Sequence, residues 1–121
     1  MRILITGSRG WEDWQTIAKA MADEILAAGA SKEDTIIVHG ACPKGADKLA
    51  DIIAKRWEAN IESHPADWNT HGKAAGFIRN SHMVNLGADV CLAFIKDGSN
   101  GATHTANEAQ KAGIRTVIHR Q

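Results

Sequence analysis

The sequence predicts an α/β fold built on an open parallel sheet of about five strands, in the order 3-2-1-4-5, with helices on both faces. Three features predict it. Short apolar runs alternate with helix-periodic segments almost from end to end, as strands joined by right-handed helical crossovers require. Several of those runs are apolar at every position, as parallel strands covered on both sides must be. Glycines and polar residues collect just after the runs, where such sheets bind ligands. With 121 residues the chain can build one core, so residues 1–121 read as a single domain.

Ile3-Leu4-Ile5 is the first strand. Ile17, Met21, Ile25 and Ala28 mark a helix, with Gly29 as its stop. Ile36-Ile37-Val38 is the second strand. Ala46, Leu49, Ala50, Ile53 and Trp57 mark the next helix at i, i+3, i+4, i+7 spacing. The third strand centres on Ile61 and is diluted by Glu62, Ser63 and His64. Pro65 to Lys73 is the longest irregular stretch, and a loop that long in a small domain points to function. Phe77, Ile78, Met83 and Val84 belong to a third helix that ends at Gly87. Val90 to Ile95 is the fourth strand. Thr105, Ala106, Ala109 and Ala112 mark a fourth helix, stopped by Gly113, and Thr116-Val117-Ile118 is the fifth strand.

Composition narrows the function classes. Hydrophobic residues at 44% and charged residues at 23% suit an ordinary globular protein. Lys plus Arg equals Asp plus Glu, 14 each, so no global basic field draws in nucleic acid, which argues against a nucleic-acid partner. The run at Ile3-Leu4-Ile5 is too short for a signal peptide or a membrane span, so the expected location is the cytoplasm, with no membrane partner. Cys42 and Cys91 lack metal-ligand spacing and read as two reduced thiols, one in a loop and one in a strand.

The residues just past each strand bear on chemistry. The first strand leads into Gly7-Ser8-Arg9, and the second into Gly40, Lys44, Gly45 and Asp47. The third leads into Asp67, Trp68, His71 and Lys73, and the fourth into Gly98-Ser99-Asn100-Gly101 and Thr103. All converge on one rim. Gly98 to Gly101 opens a helix, where close backbone approach and free N–H groups hold a phosphate, although a plain strand–helix turn has the same residues. Neither the dinucleotide fingerprint nor a Walker loop is present: Lys44 precedes Gly45, so nucleotide triphosphatase chemistry is not expected. Arg79, early in the third helix, can pair with phosphate or carboxylate. Trp11 and Trp68 come after strand ends and can stack on a base or pack in loops; Trp57 belongs to the core. His39, His64, His71 and His104 lie near the rim on separate segments, a spread that gives no metal site. No cofactor is implied.

The order G-S-R, H-G, K-G-A-D, P-A-D-W, H-G-K-A-A-G, R-N, A-D-V-C-L-A-F and G-S-N-G resembles the small single-domain branch of the SLOG superfamily, which unites the DNA-processing protein A fold and the Lonely Guy phosphoribohydrolases. The resemblance covers nearly the whole chain and is most specific over Pro65 to Gly76 and Gly40 to Asp47. It implies a Rossmann-like sheet, a nucleotide-derived small-molecule ligand and a homo-oligomer, for which the third and fourth helices offer a face. The Lonely Guy motif R-K-x-x-M is similar to Arg79-Asn80-Ser81-His82-Met83, which carries a catalytic-type arginine onto Arg79 and places Asn80 beside it. Their P-G-G-x-G-T-x-x-E motif is matched in part by Gly98, Gly101 and Thr103, but its glutamate has no counterpart, and Glu108 lies about half a turn too far along.

That gap orders the readings. Binding or sensing of a phosphate-bearing nucleotide or nucleotide-derived ligand comes first, with the phosphates on residues 98–103 and Arg9 or Lys44 completing the charge. Cleavage of the N-glycosidic bond of a nucleoside monophosphate or ADP-ribose-like compound comes second. It needs a carboxylate against the oxocarbenium-like transition state, from Asp67, Asp47 or Asp97, with Arg79 on the phosphate. Single-stranded DNA binding comes third, against zero net charge and a small surface.

Overall fold

A computed structural model describes residues 1–121. Five parallel strands form one sheet in the order β3-β2-β1-β4-β5, as the sequence predicts. The strands are β1 (Arg2–Gly7), β2 (Ile36–His39), β3 (Asn60–Ser63), β4 (Val90–Ile95) and β5 (Arg115–Arg120), and the helices that cross between them are α1 (Trp14–Ala27), α2 (Ala46–Arg56), α3 (Trp68–His71), α4 (Ala75–Asn85) and α5 (Asn100–Lys111). Central β1 aligns Ile3 with both Ile37 and Val90.

The two-residue period of each strand divides the core into two layers. Ile3, Ile5, Ile37, Val90, Leu92 and Phe94 face α1 and α2, where Ile17, Met21, Ala50 and Ile53 meet them. Leu4, Val38 and Cys91 face Met83 and Val84 of α4 and Ala109 of α5, and Ala93 and Ile95 meet Ala102 and Ala106 of α5. All six residues of β4 are buried, which is why that run is apolar at every position. The edge strands β3 and β5 keep partly exposed residues, so their sequence signal is diluted. Gly29, Gly87 and Gly113, the predicted stops, each lie two residues past a helix end.

Several expectations need correcting. The stretch from Pro65 to Lys73 is not irregular: it holds α3 and a 3-10 turn at Gly72–Ala74, because the Asp67 carboxylate caps the helix by accepting the Thr70 N–H at 3.1 Å. Phe77 and Ile78 do not join the core. α4 meets the sheet through Met83 and Val84, which leaves them 46% and 45% exposed, with Phe77 edge-on against the His104 ring. Ala28 and Ala112 sit past the ends of their helices and are exposed. Trp11 is buried, edge-on to Phe94, and its indole N–H donates to the Asp13 carbonyl, so it belongs to the core and not to a ligand site.

Cys42 and Cys91 are free thiols, and burial pushes Cys91 up to about 12. No helix is long and apolar enough to cross a membrane.

One charged device spans three strands. Arg2 on β1 makes a two-pronged contact with Glu62 on β3, at 3.0 and 2.9 Å, and donates to the Gly87 carbonyl; His64 reaches the same carboxylate at 2.8 Å. The Arg2 hydrogen bonds, then His64, hold the Glu62 carboxyl at about 2, below its ordinary 4.5. A depressed carboxyl contributes stability that is present above 4.5 and lost as pH falls toward 2. Glu62→Gln should therefore lower stability at neutral pH by about 1 kcal/mol, a modest figure because both side chains stay partly in water. Denaturant titrations of both proteins should converge between pH 4.5 and 2; a gap that persists at pH 2 would show that the charge is not its source.

Candidate functional site

The amino end of α2 lies against the carboxyl end of β1. Ala46 donates its N–H to the Ser8 carbonyl at 3.2 Å, and a Cβ on Gly7 would stand 2.3 Å from the Ala46 Cβ. Gly45 has φ +78 and ψ −151, a region open in practice to glycine alone, and a Cβ there would lie 2.3 Å from the Ser8 carbonyl oxygen. The contact places Asp47, in the first turn of α2, under the loop after β2.

Asp47 is buried, at 7% exposure. Its Oδ2 accepts the N–H groups of Gly40 at 3.1 Å and Cys42 at 3.3 Å. On the other side of Gly40, the Arg79 guanidinium donates to that residue's carbonyl, and also to the His64 carbonyl at 3.3 Å, while its Nε donates to Asn80 Oδ1 at 2.7 Å. Gly40 is thus held at its N–H by a carboxylate and at its C=O by a guanidinium, and a Cβ there would meet the guanidinium at 2.6 Å. Burial pushes the Asp47 carboxyl up, against the pull of His39, the Cys42 and Gly40 amides and Arg79. Burial also lowers Arg79, and Asp47 opposes that.

These groups line a cavity of about 630 Å³ at the carboxyl rim, within the range of small-molecule pockets. Its wall carries four cations, Arg9, Lys73, Arg79 and Lys96, and one carboxylate, Asp47. None of the four cations is in an ion pair. Ser99 and Gly101 bring the start of α5 to the same wall. That helix has no side-chain cap, so the N–H groups of its first turn are available to an anion. Trp68, 52% exposed, and Phe77 supply an aromatic edge.

Of the residues singled out from the sequence, Gly7, Ser8, Arg9, Gly40, Asp47, Trp68, Lys73, Arg79, Asn80, Ser99 and Gly101 come together on this wall. Lys44, Gly45, Asp67, His71, Gly98, Asn100 and Thr103 do not line it. Lys44, Asp67 and His71 are exposed, Gly45 packs beneath Ser8, and Thr103 spends its hydroxyl on the Ser99 carbonyl at 2.7 Å. Ser8 is also committed, donating to the Lys96 carbonyl and accepting the Lys96 N–H. Asp97 is exposed and off the wall.

Lys96 and Cys42 also line the wall; their positions just after β4 and β2 put them in the rim loops read from the sequence, though not among its ligand-binding residues. His39 accepts the Ala41 N–H at Nδ1, so its Nε2 carries the proton toward Asp51 at 2.9 Å and the ring is locked. No three His, Cys, Asp or Glu side chains are grouped to hold a metal ion.

Fold and site together define a Rossmann-like α/β protein with a cation-lined pocket at the carboxyl rim of its sheet. The chain belongs to the YspA, cpYpsA-related SLOG family, whose profile matches residues 1–71. It is 46% identical to the Gene 61 protein of Mycobacterium phage D29 over 121 residues, covering 96% of this chain and 94% of that one. No solved structure is significantly similar to it.

Because Gly45 sets the joint between α2 and β1, Gly45→Ala combines backbone strain with a clash against backbone atoms. The expected cost is about 3 kcal/mol in denaturant unfolding. A loss below about 1 kcal/mol would mean that the joint relaxes freely.

Proposed function

We propose that the protein binds a phosphate-bearing nucleotide or nucleotide-derived ligand in this cavity. The observation that carries the reading is four unpaired cations on one wall beside the open start of α5. Arg79 and Lys96 are half-buried, and a half-buried cation that no carboxylate neutralises gains when an anion completes it; exposed Arg9 and Lys73 add charge at the mouth. A phosphate takes hydrogen bonds from guanidinium, ammonium and helix-start N–H groups at once. Trp68 and Phe77 at the margin suit a planar base, which adds stacking to the charge contacts.

A second reading, N-glycosidic cleavage, draws on one observation: Asp47 is the only carboxylate on the wall, and burial pushes its carboxyl up, as a general acid requires. Asp67 supports that reading less well. It caps α3, lies off the wall, and the Thr70 hydroxyl and N–H hold its carboxyl below the ordinary carboxylate range.

Thermal shift with AMP, other nucleoside monophosphates, ADP-ribose and cyclic ADP-ribose tests binding. Stabilisation by at least one of them is expected, and Arg9→Ala and Lys96→Ala should each weaken it by about tenfold in affinity. No shift with any of these compounds would refute the assignment. Chromatography of the same mixtures tests cleavage. If free base is released, Asp47→Asn should reduce the rate by at least about a hundredfold and Asp67→Asn should not; the reverse pattern would move the chemistry to α3.

A further inference from the structure

Asp47 has a feature that neither folding nor phosphate binding uses. Only its Oδ2 is engaged, by the amides of Gly40 and Cys42. Its Oδ1 makes no hydrogen bond and pairs with no cation, yet it is not among the fully buried unpartnered atoms, of which His104 Nδ1 is the sole example. Asp47 is 7% exposed and lines the cavity, so an oxygen of it that is neither bonded nor sealed off is available on the cavity side.

A carboxylate oxygen that no protein donor reaches, on a side chain otherwise almost wholly buried, is open to a hydrogen-bond donor from a ligand. The surrounding charge decides which donor. Four cations share the wall with this one carboxylate, so an ammonium group or a metal ion would enter a net positive field, whereas a neutral hydroxyl would not. Gly40 sets the spacing. Its N–H binds Asp47 and its carbonyl binds Arg79, which places an acceptor and a cationic donor on either side of one residue. A ligand that satisfies both carries hydroxyl groups close to an anion. We propose that Asp47 is a specificity residue that selects a 5-phosphorylated ribosyl ligand by its sugar diol. Oδ1 accepts the hydrogen bond of a ribose hydroxyl while the cations of the same wall hold the phosphate.

This inference rests on the binding reading above and deepens it. Hydrogen-bonding sites reject analogues that lack the hydroxyl far more strongly than apolar sites reject a missing methylene, because the site's own polar group is left bare. Isothermal titration of the intact protein with ribose 5-phosphate, 2-deoxyribose 5-phosphate and inorganic phosphate separates the two ideas, with AMP and 2′-deoxy-AMP as the larger pair. The wild-type protein should prefer each ribo form over its deoxy form by about tenfold or more. Asp47→Asn keeps an amide oxygen for Gly40 and Cys42 but turns a donor toward the cavity. It should reduce the preference to within about twofold while inorganic phosphate still binds. Equal affinity of the wild-type protein for ribo and deoxy forms overturns the role of Asp47 and leaves phosphate binding standing. A preference that survives in Asp47→Asn overturns it too. Failure of all five probes to bind removes both the inference and the reading beneath it.

Discussion

The contact between the start of α2 and the end of β1 is the constraint on which the site depends. Two glycines, Gly7 and Gly45, stand where any side chain would collide, the first with Ala46 and the second with the backbone of Ser8 and Arg9. The absent side chains let a helix begin directly against a strand end. One hydrogen bond, from the Ala46 N–H to the Ser8 carbonyl, holds the joint. Several polar groups of the cavity are placed relative to it. Asp47 is the second residue of the helix so fixed, Arg9 leaves the strand beside it, and Gly40 comes within reach of both Asp47 and Arg79.

The electrostatics depend on that placement. Asp47 is dry enough for burial to oppose its charge, yet two backbone amides and nearby Arg79 draw the other way. Arg79 in turn gives its donors to carbonyls at the ends of two strand loops, from Gly40 and His64, instead of to a carboxylate. It therefore keeps its charge unneutralised while its geometry is fixed. A guanidinium held by neutral acceptors is oriented without being paired, which is the condition for it to meet an incoming anion at little reorganisation cost.

The topology was legible in the sequence because burial on both faces forces apolarity at every strand position, as in β4, where all six residues are buried. Helix stops were legible because they act locally, through Gly29, Gly87 and Gly113. The failures have physical causes as well. Asp67 as a helix cap and Asp67 as an acid look alike in sequence, since both uses need a carboxylate at the start of a polar stretch, and only the bond to Thr70 separates them. Phe77 and Ile78 fit a helical stripe, but which side of α4 meets the sheet is decided by Met83 and Val84, a tertiary choice. Most of the rim loops proved to line one cavity, while Lys96, a single lysine after a strand, carries no pattern of its own.

Ser8 joins the two central strands a second time, beyond the sheet ladder. Its hydroxyl donates to the Lys96 carbonyl at 3.0 Å and accepts the Lys96 N–H at 2.8 Å, and its own N–H reaches the Phe94 carbonyl. Three hydrogen bonds so close together behave as a rivet. The turn carrying Arg9 and the turn carrying Lys96 are clamped at a common root, which fixes the spacing between them. The residues from Asp67 to Ala74 are all exposed and belong to no strand. The two halves of the cavity therefore differ in construction, with a riveted root under Arg9 and Lys96 and an exposed helical segment under Trp68 and Lys73.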